Sequence, residues 1–278
     1  MVDWLSKRKR LAGLLAGGYF LGVVFGHLPF SDVADWITGR LSREIFNGAI
    51  TIFWCFSLAA FGLVLLRAVQ GRPDREGGLL YAGTAVLLAA VSYNALFVTN
   101  VESVHFVQYA LLALPLYALT HSFGRTVLYV TLLGALDEAY QYFVLYGDLK
   151  TVYFDFNDVI LNLAGGALGV VAIFLLADLP RPPRLAAGGG RRIVGAMILS
   201  AVAAVLLASC GLIRAYPGPD GGSGALLLSR APAPEHFWVE LPWGKTYHVL
   251  HPLEGLALAG LLLLFFSRMD RSAAKGER

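Results

Sequence analysis

Charged residues are what this sequence has least of. Asp, Glu, Lys and Arg make up only 15% of 278 residues, against 57% hydrophobic ones, and the mean hydropathy is +0.63. Three stretches, between Glu44 and Arg67, between Glu76 and Glu102, and between Arg192 and Arg214, contain none at all. Each is about the 20 residues needed to cross a bilayer. Apolar residues in such blocks, not in alternation, point to an integral membrane protein and an all-α, polytopic helix bundle. Cysteine is nearly absent: Cys55 and Cys210 lie inside apolar runs without ligand-like neighbours and read as packing residues. No P-loop, Rossmann fingerprint, GxSxG or HExxH occurs, which sets aside coupling to nucleotide. No His pair marks a haem pocket, so no cofactor is expected.

Further apolar blocks at 11–28, 104–121, 125–146, 158–177 and 252–267 raise the expected number of transmembrane helices to eight, with both termini cytoplasmic. The basic start "MVDWLSKRKRLAGLLAGG" resembles a signal peptide, but its apolar stretch runs on through Phe25 without a small-x-small site, so a retained first span is expected. In this topology Lys7 to Arg10, Arg67 to Arg75, Arg125, Arg181 to Arg192 and Arg268 to Arg278 fall inside. Arg40, Arg43, Lys150, Arg214, Arg230 and Lys245 fall outside, the bias of the positive-inside rule. Net charge therefore reports topology, and no nucleic-acid partner is implied.

"LPRPPRLAAGGGRR" (179–192) is the clearest linker, separating a six-helix unit (1–178) from a C-terminal two-helix hairpin (193–278). The hairpin carries the long loop 214–251, flexible turn sequence first and then a lid or interfacial segment with Phe237, Trp238 and Trp243. Residues 31–46 carry Val33, Trp36, Ile37, Leu41 and Ile45 near helical spacing, as a surface helix would.

The polar residues inside the spans fall at one depth, near the outer ends of spans four to six. Glu102, His105 and Tyr109 follow i, i+3, i+7; Glu138 and Gln141 are i, i+3; Asp155, Asp158 and Asn162 are again i, i+3, i+7. Each set lines one stripe of its helix. Asp137, adjacent to Glu138, points about 100° away. A carboxylate at mid-membrane costs roughly 2.5–3.5 kcal/mol on insertion scales, so several on facing helices imply pairing, protonation, a cation or a water-filled pocket. Two plainer readings stand beside a binding site: Asp155, Asn157 and Asp158 cap a helix start, or the whole set is a structural hydrogen-bond network. Gly165 and Gly169 form a GxxxG spacing that lets another helix approach the sixth span. His248, His251 and Glu254 in "YHVLHPLEG" read as a helix entrance and not as a metal site, and no metal is assigned. His27 and His121 receive no task.

Three of these elements, "ESVHFVQY" (102–109), "GALDEAYQYF" (134–143) and "NDVILNLAGGALG" (157–169), resemble in order and spacing the VanZ-like family, over about 100–180. That family is named for a protein associated with low-level resistance to the glycopeptide teicoplanin. The resemblance implies the bacterial cytoplasmic membrane, cell-envelope biology and a preserved polar site, and it implies no reaction. Where members often carry a P-x-R, this chain has "YGDLKTVYFD" with Lys150 as its one cation, which argues against a phosphate-binding loop. The function expected is an outward-facing polar pocket for an envelope ligand, a lipid-linked sugar or phospholipid headgroup, with membrane lipids as partners. The alternative is an accessory subunit of a larger membrane protein complex. Whether the protein is an enzyme stays open: His105 with Glu102 or Glu138 would supply acid and base, and no nucleophile is identified.

Overall fold

The computed structural model describes residues 1–70, 75–146, 154–177, 195, 214–216, 225–227, 238–241 and 244–271. A short helix α1 (Val2–Ser6) precedes α2 (Lys9–Thr38), α3 (Arg43–Gln70), α4 (Arg75–Ala95), a 3-10 turn (Asn100–Ser103) that runs into α5 (Val104–Thr120), α6 (Phe123–Tyr140) with a π turn at Gln141–Leu145, α7 (Phe156–Leu176) and α8 (Pro252–Ser267). Among the described residues six helices are long and apolar enough to cross a membrane: α2, α3, α4, α5 with its 3-10 turn, α7, and α8 extended to Arg271. The chain is thus a multi-pass membrane protein. The expected fifth span, α6, falls outside that set because its 18 residues include Arg125, Asp137 and Glu138. The expected span at 192–214 and the linker lie outside the described residues but for isolated positions.

The centre of the bundle is α7, nearly nine-tenths buried while α3 is only about one-tenth buried. Small residues explain its position. A Cβ placed on Gly165 would sit 2.8 Å from the His105 carbonyl oxygen, and one on Gly169 2.6 Å from the Ala110 carbonyl oxygen, so α5 and α7 pack backbone to backbone. On the α6 side, Gly166 makes room for the Val130 side chain and Gly134 for the Asn162 side chain. Without a hydrophobic drive between helices in lipid, such close approach is what holds them. Above these contacts Phe106 stacks on Trp54 of α3, with ring centroids 4.9 Å apart, and on Phe97, at 5.5 Å.

Residues 31–46 do not form a separate surface helix. α2 runs unbroken through Pro29 to Thr38, and α3 starts at Arg43. Pro29 removes a single N–H donor, and the following residues keep helical spacing, so the helix lengthens instead of turning onto the surface. In the loop after residue 213, two short antiparallel pairs form, β1 (Arg214–Tyr216) with β2 (Ala225–Leu227) and β3 (Trp238–Glu240) with β4 (Thr246–His248). The first brackets the expected turn sequence, most of which lies outside the described residues. The second turns at Gly244, whose φ of 78° is a conformation glycine takes without strain. Its Lys245 donates to the Tyr93 carbonyl oxygen at 3.3 Å. Burial lowers the Lys245 amine from its ordinary pKa, partly offset by the charge of Glu102.

At the opposite end of the bundle, Asp270 closes the start of α6. Its carboxylate accepts from Ser122 Oγ at 2.8 Å and from the backbone N–H groups of Phe123 and Gly124 at 2.7 and 3.2 Å. These are amides that a helix start leaves unpaired. Asp270→Ala is expected to cost about 2 kcal/mol, given ~1.5–3 kcal/mol for hydrogen bonds to charged groups. Asp270→Asn, which keeps an acceptor, should lose less; thermal unfolding midpoints of both in detergent check the order.

Candidate functional site

The polar ends of α5, α6 and α7 converge, and each side chain has an identifiable hold. The 3-10 turn is pinned to α3 by Asn100 Nδ2, which donates to Thr51 Oγ1 at 2.8 Å and to the Asn47 carbonyl oxygen at 3.1 Å. Thr51 Oγ1 in turn lies 2.6 Å from the Tyr93 hydroxyl. That anchor sets Glu102, whose carboxylate accepts from the N–H groups of Val98 and Thr99 at 3.0 and 2.9 Å. One turn on, His105 Nδ1 donates to Asn162 Oδ1 at 2.8 Å, which leaves Nε2 facing Asp158 Oδ2 at 3.8 Å. Tyr109 donates its hydroxyl proton to Asp137 Oδ2 at 3.0 Å. Gln141 Nε2 donates to Glu138 Oε1 at 3.1 Å. Asp155 caps α7, accepting from the N–H groups of Asn157 and Asp158 at 2.8 and 3.4 Å.

Beside these pairs lies a cavity of about 350 Å³, walled by the second half of α2, the start of α3, the 3-10 turn with α5, and the ends of α6 and α7. Of the eight residues expected from spacing, Glu102, His105, Gln141 and Asp158 line it. Tyr109, Glu138, Asp155 and Asn162 stand outside the lining, where they position the lining residues. Asp137, whose membership spacing leaves undecided, lines the cavity while Glu138 does not. Spacing alone does not separate them: Asp137 and Gln141 are i, i+4, so they share a face just as Glu138 and Gln141 do at i, i+3. Adjacency cannot decide which carboxylate faces the space; Asp137 is held there by the Tyr109 hydroxyl of α5. Asp137 is 2% exposed, and its Oδ1 accepts no hydrogen bond among the described residues.

Several lining residues were not expected. α2 contributes His27, Ser31, Ala34, Asp35 and Thr38, and α3 contributes Arg43 and Asn47. The polar members of α2, at roughly four-residue intervals from His27 to Thr38, are a readable stripe; what hid it was the expectation that the first span stops at 28. Among the described residues no three His, Cys, Asp or Glu side chains are grouped to hold a metal ion. Asn157, considered only as a cap, instead bridges parts of the chain. Its Nδ2 donates to the Leu96 and His248 carbonyl oxygens at 2.9 and 2.7 Å, and its Oδ1 accepts from Leu250 N–H at 2.8 Å. His248 Nε2 and Glu254 Oε1 pair at 2.9 Å, a local contact at the start of α8.

A family model described as VanZ/LLP1 matches residues 24–177, more than half of the chain. The chain belongs to the VanZ/LLP1 family. The match is wider than the 100–180 covered by the three motifs, taking in the end of α2 and all of α3 and α4. Every lining residue of the cavity except Val23 falls inside the VanZ/LLP1 segment. No curated protein and no solved structure matches the chain.

Proposed function

We propose that this VanZ/LLP1 protein holds a polar ligand of the bacterial cell envelope, a lipid-linked sugar or a phospholipid headgroup, in the cavity at the ends of α5, α6 and α7. In this reading the chain crosses the cytoplasmic membrane eight times with both termini inside, and the cavity faces outward. The observation that carries the proposal is Asp137: a buried carboxylate on the wall of a sizeable cavity with one oxygen unpartnered. Buried polar atoms are nearly always satisfied, and an exception calls for a missing partner. A donor on a ligand, a hydroxyl or an ammonium, supplies one. Asp137 and Asp158 carry charge, Gln141 orients a hydrogen bond, and His105, held by Asn162, presents Nε2 to bind or exchange a proton.

A second reading, an accessory subunit whose polar residues only lock helices, is favoured by the pairs His105–Asn162 and Glu138–Gln141, each made between side chains of the protein itself. The two differ in what single substitutions do. In a strain whose teicoplanin resistance depends on this protein, Asp137→Asn and His105→Ala are expected to return resistance to the level of a deletion while the protein accumulates normally in the membrane. Resistance unchanged in both variants would sink the ligand-site reading and leave the subunit reading standing.

A further inference from the structure

The cavity has an apolar side that its polar residues do not explain. On α2, Val23, Gly26 and Phe30 line it at helical spacing, and on α5, Val104 does the same. The α5 stripe continues past the cavity. Val104, Val107 and Leu111 are i, i+3, i+7, and Val107 and Leu111 are 51% and 47% exposed. Leu111 lies about 10 Å further along the helix axis than Val104, deeper toward the middle of the span. α2 and α3 both contribute walls of the cavity, and Gly26 leaves a gap in the α2 wall: a Cβ there would touch nothing within 4 Å. A polar chamber thus opens into an apolar trough on the lipid-facing side of the bundle.

The charges of the chamber narrow what fits. Carboxylates of Asp35, Glu102, Asp137 and Asp158 line it, against the guanidinium of Arg43 and the imidazoles of His27 and His105. Four carboxylates around one space favour an occupant that carries a cation. The unpartnered Asp137 oxygen needs a hydrogen-bond donor, which a trimethylated ammonium lacks and a primary ammonium has.

We infer that the occupant is a membrane lipid with a primary ammonium headgroup, its ammonium seated on the chamber carboxylates and one hydrocarbon chain lying along the trough between α2 and α3. The inference rests on the reading of the cavity as a ligand site and adds the class of ligand and its route, sideways from the bilayer. Gly26 and Leu111 then set how the chain is accommodated, while Asp137 selects the head.

The test uses the full chain in phosphatidylcholine nanodiscs doped with phosphatidylethanolamine that carries a diazirine in one acyl chain. After photolysis, peptide mass spectrometry maps the labelled residues. Labelling at Val107 and Leu111 is expected to exceed that at Phe53, Phe56 and Leu63, exposed on α3, by at least fivefold. Unlabelled phosphatidylethanolamine should compete it away, and phosphatidylcholine and phosphatidylglycerol should not. Asp137→Asn and Gly26→Leu should each abolish the excess; the second adds bulk where there is open space and so spares the fold. Uniform labelling over all lipid-facing positions overturns the trough. Competition by phosphatidylglycerol or by a lipid-linked sugar in place of phosphatidylethanolamine overturns the headgroup. A parallel titration with water-soluble glycerophosphoethanolamine, followed through the NMR signals of 15N-labelled histidine, separates this failure from that of the cavity itself. A His105 response alongside uniform labelling leaves the cavity and removes the trough; silence in both experiments removes both.

Discussion

Gly169→Leu is expected to yield no folded protein. At this position the obstacle is backbone: a Cβ would lie 2.6 Å from the Ala110 carbonyl oxygen and 2.9 Å from the Ala110 Cα. A flexible side chain can turn aside, whereas a helix has to translate as a whole. Overpacking a core that can adjust costs about 1–3 kcal/mol. Here relief requires moving α5 off α7, which breaks the contacts of Gly165 with His105 and Phe106 on the same seam. Even Gly169→Ala should lower the unfolding midpoint clearly. Gly22→Ala on α2 supplies the contrast: its Cβ meets nothing within 4 Å, and Ala favours a helix over Gly by about 1 kcal/mol, so that variant should be neutral or stabilising. Size-exclusion profiles of fluorescently tagged variants in detergent, with midpoints on heating, read both. If Gly169→Leu elutes as a single species with the parent's midpoint, the account of the α5–α7 seam is wrong.

Asn157→Leu is expected to be the most damaging polar substitution. The side chain is 2% exposed and satisfies the Leu96 and His248 carbonyl oxygens and the Leu250 amide together. Removing it leaves three backbone groups without partners, each at roughly 1–3 kcal/mol where water cannot reach. The loss should reach several kcal/mol and release the β3–β4 hairpin from the end of α4. Limited proteolysis should then cut between Trp238 and Leu250 at least tenfold faster than in the parent protein. Asn157→Asp keeps the acceptor for Leu250 and loses both donations, so it should fall between; equal cleavage rates in all three proteins would refute the clamp.

What was legible beforehand followed the range over which each residue acts. GxxxG at Gly165 and Gly169 was readable because a helix interface is built from residues four apart on one strand of chain. The stripes of α5 and α7 were readable for the same reason. Asp137 was not, since two neighbouring carboxylates both share a face with Gln141 and the hydrogen bond that holds Asp137 comes from Tyr109 on another helix. Asn157 looked like a cap because capping is local, while its partners lie 61 to 93 residues away. The α2 wall was hidden by ending the first span at 28 and reading 31–46 as a separate surface helix, whereas one helix of 30 residues runs from Lys9 through Pro29 to Thr38.

The Asp270 cap has a meaning for biogenesis. Ser122, Phe123 and Gly124 wait for a carboxylate 146 to 148 residues downstream, so during synthesis α6 emerges with its leading amides unpaired. It is also the long helix with Arg125, Asp137 and Glu138 inside it, the least willing of the set to rest in lipid by itself. A ribosome that has made α6 and α7 but not α8 therefore holds a nascent bundle in which α6 is packed but its start is still uncapped, and that end is fastened last, when α8 arrives.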